Sequence, residues 1–169
     1  SNCYAPWVIY RTADVMLMKA EALTQLVNSD PQTDEEKAQN DSLLKAAYEI
    51  VNVIEKRSSF AGNYENIPYD SYSSKNQMEE LVLLERQREL MFEGKRWFDL
   101  VRKARRDGKT NFLVNKVQQK GSDNGGVVQT KLAKMDGLYW PYNNDELKVN
   151  GNLVQNPSYG SGSATTDSK

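Results

Sequence analysis

The chain has 169 residues, with 22 lysines and arginines against 23 aspartates and glutamates, one cysteine and no histidine. That length suits one ordinary domain with a real core, and a net charge near zero excludes a global field that would recruit nucleic acid or acidic lipid. One cysteine and no histidine exclude an internal disulfide framework and any histidine-based metal or triad chemistry.

Mean hydropathy is −0.73, and no apolar run approaches the roughly 18 residues needed to cross a bilayer. Cys3 has no apolar signal region before it, so as written it is not a lipobox. Pro6-Trp7-Val8-Ile9-Tyr10 then runs straight into a helical pattern, and the expectation is a fragment whose N-terminal part is missing.

The spacing predicts a first helix over residues 11 to 27. Its stripe is Val15, Met18, Ala22 and Leu26, with Ala13, Leu17 and Ala20 beside it. Asn28-Ser29-Asp30-Pro31 supplies the stop. A second helix is predicted over 37 to 57, with acids ahead of it at the positive end of its dipole. Its stripe is Leu43, Leu44, Ala47, Ile50, Val51 and Ile54. The two form an antiparallel hairpin of the tetratricopeptide type, although no fixed repeat occurs within the chain.

Residues 58 to 75 read as a polar loop studded with Phe60, Tyr64, Tyr69 and Tyr72. Aromatic rings beside Asn63, Asn66 and Asp70 suit the mixed surface of a sugar, whose apolar C–H faces are flanked by hydroxyls. Tyr64, Tyr69, Tyr72 and Asn66 are therefore the candidate ligand contacts; the simpler reading is that these rings pack the loop down or face a partner protein. Ser74 with Gln77 resembles a capping box, and a long third helix is predicted from about residue 75 to 106, with Gly94 as a bend or close contact.

Residues 85 to 102 are the most distinctive part of that helix. Acids and bases recur three apart (Arg86 with Glu89, Glu93 with Arg96, Arg96 with Asp99), which brings them together on one face. Leu90, Met91, Phe92, Trp97, Phe98 and Leu100 spread around most of the circumference, predicting a strut surrounded by protein. Paired carboxylates can hydrolyse glycosides, but arginines at this spacing lower carboxylate pKa values and make Glu85, Glu89 and Glu93 poor general acids. The six residues Glu85, Arg86, Glu89, Glu93, Arg96 and Asp99 are read as a structural ion-pair brace, with Asp14 and Glu21 pairing onto the same helix. Trp97 should anchor it, and Trp7 and Trp140 are assigned to the core.

Beyond it, Arg102, Lys103, Arg105, Arg106 and Lys109 suit a helix C-terminus better than a nucleic-acid site, which would want interleaved aromatics. Residues 110 to 119 suggest a short helix. Residues 121 to 126 read as a turn, lacking the alternating acids of a calcium loop. Asp145-Glu146-Leu147 could form one helical turn, and a Gly/Ser/Thr tail over 160 to 169 is expected to be disordered.

Three signatures occur in order. Tyr10-Arg11-Thr12-Ala13-Asp14-Val15-Met16-Leu17-Met18-Lys19-Ala20-Glu21-Ala22 is the first, and the stretch 85 to 102 is the second. The third runs from Leu138-Tyr139-Trp140-Pro141 through Glu146-Leu147 to Gln155-Asn156-Pro157-Ser158-Tyr159. Together they resemble the C-terminal part of the SusD/RagB family, the outer-membrane nutrient-binding lipoproteins of Bacteroidetes. Tyr142 and Asn143 stand where that family has Ile-Pro, and Ser158 stands where it has glycine.

The resemblance implies an all-α fold with few or no strands: a tetratricopeptide-type helix pair, a long central helix and extended loops. Residues 1–159 would be the C-terminal portion of a SusD-like domain. It further implies a non-catalytic, surface-exposed outer-membrane lipoprotein that captures an oligosaccharide for a SusC-like TonB-dependent porin. Its lipid anchor would lie on an N-terminal part absent from this chain. No catalytic residue, metal, cofactor or nucleic-acid partner is implied. The rival readings are a tetratricopeptide-like adaptor without sugar binding and a glycoside hydrolase.

Overall fold

The computed structural model describes residues 9–60, 64–121 and 125–159. Cys3, Trp7, Asn63 and the 160–169 tail lie outside the described residues. Every regular element among the described residues is helical, and no strand occurs among them. The chain divides into two compact units, Ser1–Arg96 and Trp97–Lys169.

In the first unit, α1 (Thr12–Leu26), α2 (Asp34–Ser58) and α3 (Lys75–Glu89) pack pairwise against one another. Helix α2 opens with a full capping box: Thr33 accepts from the Glu36 N–H, and Glu36 accepts from the Thr33 N–H. Its Leu44, Ala47, Val51 and Ile54 are buried as the periodicity predicts. They meet Leu17 and Ala20 of α1 and Met78, Leu81 and Val82 of α3 in one apolar cluster. At the head of α3, the Ser74 hydroxyl accepts from the Gln77 N–H at 3.4 Å and donates to Gln77 Oε1 at 2.6 Å.

Helix α1 corrects the predicted face. Ala13, Asp14, Leu17, Ala20, Glu21 and Thr24 are buried, while Val15, Met18, Ala22 and Leu26 point to solvent. Both stripes obey helical spacing, and the inward one packs Leu17 and Ala20 on α2 and α3 and carries Asp14 to its partner Arg86.

The long third helix is two helices. Helix α3 ends at Glu89, α4 spans Arg96–Asp107, and residues 90–95 form a turn. Two left-handed residues make the break, Phe92 at φ 68° and Gly94 at φ 73°. Glycine adopts that region without the Cβ clash an L side chain suffers, so the helix ends in a turn that includes Gly94. Of the apolar residues assigned to an enclosed strut, Leu90 and Leu100 are buried and Trp97 is half-buried. Met91, Phe92 and Phe98 are exposed, Phe92 at 90%.

The second unit holds α4, α5 (Asn111–Gln118), α6 (Gly125–Leu132) and α7 (Asn144–Val149). Leu100, Ala104, Leu113 and Leu138 form its core, ringed by Trp97, Phe112, Val117, Leu132 and Met135. At Gly137 the backbone passes so close to α6 that an added Cβ would stand 2.0 Å from the Lys131 carbonyl oxygen, which leaves only glycine there. Asn156 ties the C-terminal segment back by donating to the carbonyls of Asp136 at 2.7 Å and Tyr139 at 3.0 Å. Trp140, assigned to the core, is instead 83% exposed.

Candidate functional site

The aromatic loop is lashed to α2 through its hydroxyls. Tyr64 donates to Asn52 Oδ1 at 3.0 Å, and Tyr69 donates to Asp41 Oδ1 at 3.0 Å. In the other direction, Tyr48 of α2 donates to the carbonyl of Ile67. The Tyr48 and Tyr69 rings meet edge to face, their centroids 5.1 Å apart. Tyr69 and Tyr72 also rest against the apolar cluster. Burial first, then the bond to the Asp41 carboxylate, pushes the Tyr69 phenol up to about 12. Burial and the Glu55 charge raise Tyr64 as well. Asp41 is held below the usual carboxylate range by the Lys45 ammonium and then by Tyr69. The three tyrosines are half-buried, and Asn66 is exposed. The loop's exposed groups include the Phe60 ring and the Asn66 amide, with the three tyrosines partly accessible.

Beside this loop lies a cleft of about 410 Å³, which sequence reading missed. Three segments converge on it: the α1–α2 connection at Val27, Asn28, Ser29 and Pro31, the first turns of α2, and the start of α3. It shares Asp41 with Tyr69, so the loop fixes one of its walls. Asn28 and Asn40 bond reciprocally at 2.9 Å, and the Lys75 ammonium donates to the carbonyls of Gln25 at 3.0 Å and Val27 at 2.9 Å. Amides, hydroxyls and an apolar floor of Val27, Pro31 and Leu44 can hold a small polar ligand, and the volume falls within the roughly 300–1,000 Å³ of small-molecule sites. In the sequence, the same residues carry only helix-stop and capping signals.

The acidic stretch is also bonded by residues far from it in the sequence. Arg11, just ahead of α1, donates through Nε to Glu93 Oε1 at 2.8 Å and through its other nitrogens to the Glu89 carboxylate and carbonyl. Arg57, at the end of α2, holds the same Glu89 carboxylate. Burial pushes Glu89 up, but the bonds from Arg57 and Arg11 outweigh it, and the group titrates below the ordinary carboxylate range. Asp14 is buried between Arg86 at 2.9 Å and Lys95 at 3.4 Å, which bears out its pairing onto this stretch. Arg96 donates to the Leu83 carbonyl at 2.9 Å, and Asp99 pairs with Arg102 at 2.9 Å. Burial, reinforced by the Glu55 charge, raises Glu85.

The first signature thus closes on the second: its Arg11 and Asp14 bond to Arg86, Glu89, Glu93 and Lys95. The third closes on itself, since Gln155 and Asn156 bond the backbone of Tyr139 and Tyr142. A family model described as the SusD family matches residues 2–159. The chain belongs to the SusD family. It is 33% identical over 154 residues to a SusD-like protein of Formosa agariphila, an alignment covering 90% of this chain and 24% of that protein. The chain therefore spans about a quarter of the length of that curated relative. No solved structure matches it. SusD family proteins are in general nutrient-binding proteins of the outer-membrane surface, and the all-α fold of this chain agrees with that membership. Among the described residues, no cluster of His, Cys, Asp and Glu could hold a metal ion, and no helix is long and apolar enough to cross a membrane.

Proposed function

We propose that this chain is the C-terminal part of a surface lipoprotein that captures oligosaccharides and passes them to a SusC-like TonB-dependent porin, without chemical change. Membership of the SusD family is the observation that carries this reading. The cleft supports it by offering amides and hydroxyls, with Lys37, Asp41 and Lys75 among them, beside the apolar Val27, Pro31 and Leu44. In this reading the aromatic loop contributes Tyr64, Tyr69, Tyr72 and Asn66 as ligand contacts, and its Tyr69 hydroxyl bonds Asp41 of the cleft lining. Tyr64 and Tyr69 are held to α2 by their hydroxyls, so that little of their side-chain freedom is lost on binding.

A hydrolytic role is disfavoured by the state of the carboxylates. A general acid needs a raised pKa and access to substrate. Glu89 is held low between two arginines, and Glu85, though raised, is buried. Isothermal titration of the chain against a panel of oligosaccharides tests the proposal, and heat with at least one glycan is expected. Silence across the panel together with capture of a peptide would transfer the helix pair to a protein-binding adaptor. Turnover of a chromogenic glycoside that disappears in Glu89→Gln would overturn the non-catalytic reading.

A further inference from the structure

Three aromatic residues stand exposed within four positions of the second unit: Tyr139 at 45%, Trp140 at 83% and Tyr142 at 51%. An indole left in water forgoes the burial that ordinarily draws aromatic side chains inside. Looseness does not explain it, because the backbone on both sides is held. The Gln155 amide accepts from the Tyr142 N–H and donates to the Tyr142 carbonyl, both at 3.0 Å. Asn156 donates to the Tyr139 carbonyl at 3.0 Å, and the Tyr139 N–H donates to the Asp136 carbonyl at 3.2 Å. Pro141 fixes its own φ and confines Trp140 before it to extended backbone. The ring is exposed on a rigid mount.

The chemistry around it is narrow. Residues 137 to 144 contain no charged side chain, and two asparagines follow the aromatics. Neutral aromatic and amide groups suit an uncharged polyol better than a phosphate, a basic peptide or an acidic lipid. We propose that Tyr139, Trp140 and Tyr142 of the second unit form a stacking platform for a neutral pyranose. The sugar lays the C–H face of its ring on the indole, where partly positive hydrogens meet the negative face of the π system. This rests on the oligosaccharide reading above and adds to it a place and a ligand class.

The test uses the 169-residue chain with nitrogen-15 in its three indoles, the Trp140 signal being assigned by its loss in Trp140→Phe. Maltohexaose, cellohexaose, laminarihexaose, xylohexaose and mannohexaose are titrated separately, with calorimetry in parallel. At least one is expected to move the Trp140 signal. For that oligosaccharide, Trp140→Ala should weaken binding about tenfold and Trp140→Phe only about threefold or less. Because the side chain is exposed, both variants should keep the wild-type circular dichroism and melting temperature, so a loss of binding is not a loss of fold. Heat of binding with an unmoved Trp140 signal overturns the platform and leaves oligosaccharide capture standing. Neither heat nor movement with any of the five overturns both.

Discussion

Asp14 is nearly solvent-free on a helix face it shares with Ala13, Leu17, Ala20, Glu21 and Thr24, and it is tolerated there because Arg86 and Lys95 face it. Truncating one partner of such a pair leaves the other buried and uncompensated. Asp14→Ala should cost about 3–5 kcal/mol, whereas replacing Asp14 and Arg86 together by leucine and methionine should recover most of that loss; urea unfolding of both variants measures it. Glu89 and Glu85 should respond oppositely to pH. Glu89 titrates low in the folded chain, so its contribution is present above the unfolded carboxylate pKa and is lost as pH falls through the lowered value. Glu85 titrates high, so its contribution is present below the unfolded pKa and is lost as pH rises through the raised value. At pH 7, Glu89→Gln should cost about 2 kcal/mol and Glu85→Gln nothing, with the Glu89 deficit vanishing in acid. Unfolding titrations at neutral and acidic pH check both signs. The contacts that reach this stretch from far along the chain were not legible in the sequence. Helical spacing reveals neighbours on one helix, whereas Arg11 reaches Glu89 and Glu93 across 78 and 82 residues.

At the scale of elements, α1 shows why period alone cannot choose a buried face. Both its Val15–Met18–Leu26 stripe and its Ala13–Leu17–Ala20 stripe are apolar at helical spacing, and the second is the one that meets α2 and α3. Leu17→Ala should therefore destabilise by about 2–5 kcal/mol through the cavity it opens, and Val15→Ala by no more than about 0.5 kcal/mol. Thermal melts of the two variants side by side test which stripe is internal. The α3–α4 break was half legible. Gly94 marked the place, but a single glycine in a helical pattern costs only about 1 kcal/mol and permits either a bend or a stop. The decision came from Phe92, which joins Gly94 in the left-handed region, and no propensity announces a phenylalanine there. Helix α2 was the plainest element, because its outer face is charged and only one apolar stripe was available.

At the scale of the molecule, the three signatures that mark the family are also the contacts that close each unit. In the second unit this makes Asn156 a keystone, with its Nδ2 on two carbonyls and its Oδ1 accepting from the Ser158 N–H. Asn156→Ala should cost about 1–3 kcal/mol and expose the 139–159 segment to limited proteolysis that wild type resists. All-α architecture and family were legible because the motifs are long and ordered along the chain. The cleft was hidden because its walls come from three separated segments, each with an ordinary local reason for its residues. The long reach of the brace also dictates an order of events during synthesis. The hairpin of α1 and α2 can form as soon as residue 58 leaves the ribosome, but Arg11 and Asp14 then face water with no partner. Their acids and bases emerge some thirty residues later, so the nascent hairpin waits with an empty seat that only the 86–95 segment can fill. Pausing or truncation inside that interval would leave a helical hairpin with ordinary secondary structure and no ionic latch, more open to a protease than the finished unit.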